Sequence, residues 1–160
     1  MTTPKVLNLN IAELIVTDEF ATINTTLGSC VSVCLFSLDK KIAGMIHYAL
    51  PYMLETSRGN DELRYGEHAI PLLISKVEKE TGVSAKYLKA KVVGGANCFI
   101  RTSKGGLDNI GQQNVEIAME ILVKHGIEIV GEHTGGEFGR RVIFHSYDGR
   151  LQVAMLSKAS

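Results

Sequence analysis

Cysteine, charge of one sign and long apolar runs are all scarce in this 160-residue chain, and each scarcity removes a class of function. No uninterrupted apolar stretch approaches the roughly 20 residues that a membrane-spanning helix needs, so direct membrane insertion is not expected. Met1 to Lys5 lead only into a short apolar alternation, without the long hydrophobic segment of a secretory signal. Seventeen Lys plus Arg balance seventeen Asp plus Glu, so no bulk positive field exists to gather phosphate backbones or anionic lipid, and nucleic acid is not an expected partner. The three cysteines, Cys30, Cys34 and Cys98, are an odd number, which leaves at least one free thiol and suits a reducing, cytoplasmic setting. There is no internal repeat, no low-complexity tract and no Pro/Ser-rich linker, so residues 1–160 read as a single domain with a core of its own.

What is present is mostly strand-like. Val6 to Ile11 is a short β-type run, and Val31 to Phe36 and Ile42 to Ala49 are apolar runs separated by the polar Ser37 to Lys40, which predicts a hairpin. Tyr87 to Val93, Ile127 to Glu132, Val142 to Tyr147 and Leu151 to Leu156 are further candidates, the last two joined through Asp148-Gly149 as a two-residue turn with positive φ at both positions. Helical period appears twice. Asn109 to His125 places Val115, Ala118, Met119, Leu122 and Val123 on one face, with Asn109 and Gln112 in capping-box spacing and Gly126 as the stop. Ala69 to Thr81 is the second, with Pro71 acceptable in its first turn and Gly82 ending it. The expected fold is α/β (α+β): mixed, largely antiparallel β-sheets packed together, with two main helices outside.

Pairing the two apolar runs about Ser37 to Lys40 sets Cys30 opposite His47, Val31 opposite Ile46 and Leu35 opposite Ile42. Directly opposed Cβ atoms lie about 4.5–5.5 Å apart, so a thiol and an imidazole there could meet as nucleophile and base. The chemistry needs that closeness because the thiolate attacks, and a free cysteine with pKa near 8.5 is mostly protonated at neutral pH. Gly28-Ser29, just before Cys30, could let the backbone turn N–H groups toward a developing oxyanion. Against this stands the plainer reading that a free cysteine is a small buried hydrophobe. A structural zinc site would want four ligands, and only Cys34 is close enough in sequence to help, so no metal and no other cofactor is expected. A Cys30–Cys34 disulfide is excluded on one strand, where four residues span roughly 13 Å and a disulfide needs Cα atoms within about 7 Å.

Thr25 to Val31 (TTLGSCV), followed by Gly44 to Pro51 (GMIHYALP), resemble the chemoreceptor glutamine deamidases of chemotaxis, the CheD family. The likeness continues through Arg64-Tyr65, Gly94 to Phe99 (GGANCF), Ile110 to Asn114 (IGQQN), Thr134-Gly135-Gly136 and Arg140-Arg141. This resemblance implies a Cys-His-Thr site made by Cys30, His47 and a threonine, taken as Thr25 although Thr26 and Asn24 lie beside it. It implies attack on side-chain carboxamides of methyl-accepting chemotaxis receptors, with release of ammonia, and a cysteine-hydrolase-like sandwich fold. It also implies a CheC-type chemotaxis phosphatase as partner. Asn97-Cys98 departs from the methionine that often follows Gly-Gly-Ala in the family. Cys34 and Cys98 are read as structural.

Gly94, Gly95 and Phe99 are candidates to contact substrate or partner, since glycines admit a close backbone approach, although Gly-Gly pairs are as often only turns. Arg140 and Arg141 could meet acidic receptor helices, and His133, beside Thr134-Gly135-Gly136, is the remaining histidine worth testing. Two other functions use the same residues or none of them: receptor glutamyl methylesterase action, which needs the same thiol and base, and a regulatory role limited to binding the phosphatase.

Overall fold

The computed structural model describes residues 2–53, 61–97 and 109–157. Phe99, Cys98 and Gly105-Gly106 lie outside the described residues. Among those residues the chain order is β1 (Lys5–Asn8), β2 (Glu13–Thr17), β3 (Ala21–Leu27), β4 (Val31–Ser37), β5 (Ile42–Tyr48), α1 (Gly66–Thr81), β6 (Lys89–Gly94), α2 (Ile110–Lys124), β7 (Glu128–Thr134), β8 (Arg140–His145) and β9 (Leu151–Met155). Two mixed sheets result, one ordered β1-β3-β8-β9 and the other β2-β5-β4-β6-β7. Only β1 with β3 and β6 with β7 run parallel; the other pairs are antiparallel.

Every residue of β4 and β5 is buried. One face of these strands (Val31, Val33, Leu35, Ile46, Tyr48) packs under both helices, and the other (Cys34, Phe36, Ala43, Met45) packs against Ile23, Val142 and Phe144 of the four-stranded sheet. The layers are therefore helices, five-stranded sheet, four-stranded sheet, with both helices outside the packed sheets, as expected, and on the same face. Cover on both faces explains why these two runs read as continuously apolar.

The expected hairpin forms, but its register differs by one step on each strand. Leu38 to Lys41 make the turn, with Lys41 at φ 54°, and Ser32, not Cys30, lies opposite His47, while Val31 lies opposite Tyr48. The side-chain faces are unchanged by this shift, because both strands move together. The β8–β9 hairpin also forms, around four residues instead of two: His145 N–H donates to Arg150 carbonyl at 2.9 Å, and of the expected pair only Gly149 has positive φ. Asp148 instead accepts from Arg150 N–H through its carboxylate, closing the turn by side chain.

β2 and β3 had no counterpart in the sequence reading. The expected run to Ile11 stops at Asn8, and the chain turns through Ala12, at φ 61°, to begin the edge strand β2. β3 (ATINTTL) carries three threonines and an asparagine, whose polarity hides a strand that threonine in fact favours. α1 starts one turn earlier than expected, because Gly66 and Glu67 N–H donate to the carbonyls of Leu50 and Pro51, so Pro71 falls beyond the first turn. In α2 the buried stripe is Gly111, Asn114, Ile117, Ala118, Ile121 and Leu122; Val123 is 70% exposed. Asn109 makes no side-chain cap, and Gln112 donates to Glu116 rather than back to it. A glycine and an asparagine at the contact rotate the buried face away from the apolar pattern.

Gly111 packs directly against the segment after β6. A Cβ there would stand 2.5 Å from the carbonyl oxygens of both Gly95 and Ala96. Backbone cannot yield as a side-chain tip does, so Gly111→Ala is expected to destabilise the protein by about 3 kcal/mol, the upper part of the range for overpacking. Urea unfolding should show a lowered midpoint with an unchanged slope.

Candidate active site

Thr25 sits on the inner face of β3, aimed at β5. Its hydroxyl donates to the Leu9 carbonyl at 2.7 Å and stands 2.8 Å from Nδ1 of His47. A hydroxyl has one proton, and with that proton given to Leu9 only lone pairs remain for the imidazole. Nδ1 therefore carries hydrogen and donates to Thr25, which leaves the lone pair on Nε2. The neighbouring hydroxyl Thr26 is exposed and on the opposite face, as strand alternation requires, and Asn24 shares that outer face. Of the three candidates for the orienting residue, only Thr25 reaches the ring.

His47 is 5% exposed, and burial lowers its pKa from 6.5 to about 4, against the opposing effects of Glu13, its cross-strand neighbour on β2, and the Leu9 carbonyl. The resting imidazole is neutral, with a free lone pair: the form a base must have. Cys30 precedes β4 by one residue and stands two positions before Ser32, the residue opposite His47. It is thus a diagonal rather than a direct neighbour; diagonal pairs are about 7–8 Å apart at Cα, still within reach for a side chain as long as histidine. Cys30 is half-buried and packs toward the four-stranded sheet, on the side where Thr25 and His47 lie. Cys34 is fully buried, and desolvation pushes its thiol up, so it has the surroundings of an inert core thiol.

The backbone before Cys30 is held at three successive carbonyls. Gly28 accepts from Ala96 N–H at 3.0 Å, Ser29 from the Asn114 side-chain amide at 3.0 Å, and Cys30 from Gly95 N–H at 2.9 Å. Gly94 and Gly95, expected to approach substrate or partner, are buried behind this turn. Gly94 has φ 111°, and a Cβ there would lie 2.3 Å from the Cys30 carbonyl, so no other residue fits. Behind them, Asn97 N–H donates to Gly136 and Gly135 N–H to Gly94. Arg140, expected at the surface, is buried: its Nε donates to Nδ1 of His133 at 2.9 Å and its Nη2 to the Gly135 carbonyl at 2.5 Å. His133 thus belongs to the support of this loop. Asn114 belongs to the IGQQN motif, but sequence assigns it no role, since an asparagine on an apolar helix face gives no signal of what it bonds.

A cavity of about 590 Å³ reaches His47 and Thr25 from the outer face of the four-stranded sheet, between residues 8–11, Asn24 and Arg141. A larger one, about 800 Å³, lies between β2 and α1 and touches none of Cys30, His47 and Thr25. Among the described residues no group of three or more His, Cys, Asp and Glu side chains could hold a metal ion, and no helix is long and apolar enough to cross a membrane.

The family model for CheD chemotactic sensory transduction matches residues 49–155. The chain belongs to the CheD family. A relative from Caldanaerobacter subterraneus subsp. tengcongensis is 39% identical over 93% of this chain and 92% of its own length. One from Clostridium novyi is 37% identical over 82% and 80%, and one from Rhodospirillum rubrum 40% over 87% and 76%. Each is named a probable chemoreceptor glutamine deamidase CheD. A solved structure of a Neisseria meningitidis protein, family-model DUF152, overlays at TM-score 0.49 and 11% identity, over 83% of this chain and 64% of that one. The CheD match begins just past His47, so Gly94, Gly95 and Asn114 fall inside it, whereas Cys30, His47 and Thr25 are argued from geometry.

The buried neutral His47 ties folding to pH. The unfolded chain takes up a proton near pH 6.5 that the folded chain refuses until about pH 4. Stability from this group is therefore complete above pH 6.5 and is lost as pH falls from 6.5 toward 4, by about 3 kcal/mol in all. Melting temperatures across that window should fall in the wild type and stay much flatter in His47→Asn; parallel slopes would show that His47 titrates normally.

Proposed function

We propose that this CheD-family protein deamidates glutamine side chains of chemotaxis receptors through a Cys30 thiolate, with His47 as base and acid and Thr25 as the residue that orients it. The observation that carries the reading is the Thr25–His47 contact, which leaves the Nε2 lone pair available one diagonal step from a half-buried thiol. Family membership points to the substrate: the relatives are named probable chemoreceptor glutamine deamidases, and a carboxamide is a substrate this chemistry fits.

Nε2 of His47 takes the Sγ proton of Cys30 and the thiolate adds to the carboxamide carbon, moving the C=O electron pair onto oxygen. Backbone N–H groups at Ser29 and Cys30 hold that oxyanion. The imidazolium returns its proton to nitrogen, the C–N bond breaks and ammonia leaves a thioester. Water, deprotonated by the same Nε2, then adds to the thioester; the C–S bond breaks, and the products are a glutamate carboxylate and the restored thiol. No cofactor enters the sequence. A cytoplasmic location suits a nucleophile that must stay reduced. A CheC-type phosphatase is proposed as partner on the strength of the resemblance alone.

Mass spectrometry of receptor fragments co-expressed with the wild type or Cys30→Ala tests the assignment. Loss of deamidation in the variant is expected, and undiminished conversion would sink the catalytic role. Loss of deamidation with binding to a CheC-type phosphatase retained would separate the two functions, and receptors carrying methyl esters in the same assay report any esterase activity. Thr25→Val removes the acceptor that holds Nδ1–H, about one neutral hydrogen bond, so kcat should drop roughly tenfold. Thr26→Val, on the outer face, should stay within twofold of wild type; the reverse ranking would move the orienting role to Thr26.

A further inference from the structure

Asn114 is fully buried in α2, and its side-chain amide makes two donations, to the Ser29 carbonyl at 3.0 Å and the Ala49 carbonyl at 2.9 Å. Those carbonyls belong to the residue before Cys30 and to the second residue after His47. The backbone carbonyl of Asn114 accepts the Tyr48 hydroxyl at 2.5 Å, so the residue directly after His47 is tied to the same point. One helical position therefore grips both chains that carry the thiol and the imidazole. Both Nδ2 protons are used, which fixes the orientation of the amide, and its Oδ1 is buried with no hydrogen-bond partner. An apolar residue of the same volume would fill the place without stranding an acceptor. Filling space does not account for an amide here; its two donations do.

The direction of the grip matters. Carbonyl and N–H of a trans peptide point opposite ways. With the Ser29 carbonyl drawn toward α2 on the helix side of the five-stranded sheet, the Cys30 N–H is sent to the other side, toward the four-stranded sheet. That is the side on which Cys30 packs and on which Thr25 meets His47. We propose that Asn114 is a positioning residue of the reaction: by holding the Ser29–Cys30 peptide it aims the Cys30 N–H at the oxyanion, and by holding Ala49 it keeps that donor in register with His47. This rests on the thiolate reading of the site given above.

The test separates aiming an oxyanion donor from holding the protein together. Full-length Asn114→Leu and Asn114→Ser are assayed for kcat and KM on receptor fragments, and for the rate at which iodoacetamide alkylates Cys30, followed on the Cys30 peptide across pH. Alkylation needs the thiolate but no oxyanion. The expected result is a 30- to 100-fold loss of kcat, in line with a misplaced catalytic donor, with KM within about threefold and the alkylation profile within about twofold of wild type. A kcat within threefold of wild type in either folded variant overturns the proposal. So does a matched loss of kcat and alkylation, which would mean the whole site has loosened, and so does failure of both variants to fold, which would make Asn114 purely structural. If Asn114→Leu alone fails to fold, Asn114→Ser decides. Failure of the thiolate reading itself would show separately, as wild type and Cys30→Ala giving equal deamidation.

Discussion

The hairpin of β4 and β5 is covered on both faces, by helices on one side and a second sheet on the other, and the candidate site depends on that cover. A strand half open to water can slide or twist at modest cost; one with every residue buried cannot, because a one-residue slip would turn its whole apolar set to the wrong layer. Ser32 is thereby locked opposite His47, and Cys30 is locked one diagonal step away. The residues proposed to do the chemistry sit where the packed strands emerge, and their backbone inherits the rigidity of the core.

Around that frame the supports come from distant parts of the sequence. Thr25, itself bonded to the Leu9 carbonyl, holds the imidazole from the four-stranded sheet, Gly95 holds the Cys30 carbonyl from just past β6, and Asn114 holds Ser29 and Ala49 from α2. Two glycines matter for opposite reasons. Gly94 supplies a backbone angle that brings β6 against the Cys30 turn, while Gly111 supplies missing volume that lets α2 approach closely enough for Asn114 to reach. Close approach of three backbones is what allows one side-chain amide to bridge two of them.

How much of this could be read from sequence varies with the physics involved. The β4–β5 hairpin, both helices and the later strands were legible because apolar periodicity records burial. The hairpin that carries Cys30 and His47 was legible, but its register was not: placing the turn at Ser37 to Lys40 or at Leu38 to Lys41 satisfies the same apolar alternation, and Lys41 gives no sign of its positive φ. β3 was missed because polar residues occupy both of its faces at the site, Thr25 on the inner one and Asn24 and Thr26 on the outer. The buried face of α2 was misjudged at Val123 because its true contact is made by Gly111 and Asn114. These errors share a cause: where a protein builds a site, polar and small residues replace apolar ones at the contact, and the pattern that marks burial fails there.

The protonation of the site follows from the same packing. With burial lowering the imidazole to about pKa 4, the resting site holds a neutral base. Moving the Cys30 proton to His47 at rest would create charge in a poorly solvated place, at the cost that already holds the imidazole neutral. The transfer becomes affordable when negative charge passes on to an oxygen held by fixed N–H groups, because those dipoles are already oriented and need no reorganisation. In such a site the backbone donors and the residues that aim them bear a larger share of the barrier than the acidity of the thiol. On the proposed mechanism, a glutamine carboxamide seated against the turn would bring its oxygen to those donors, so that substrate itself completes the arrangement the attack needs.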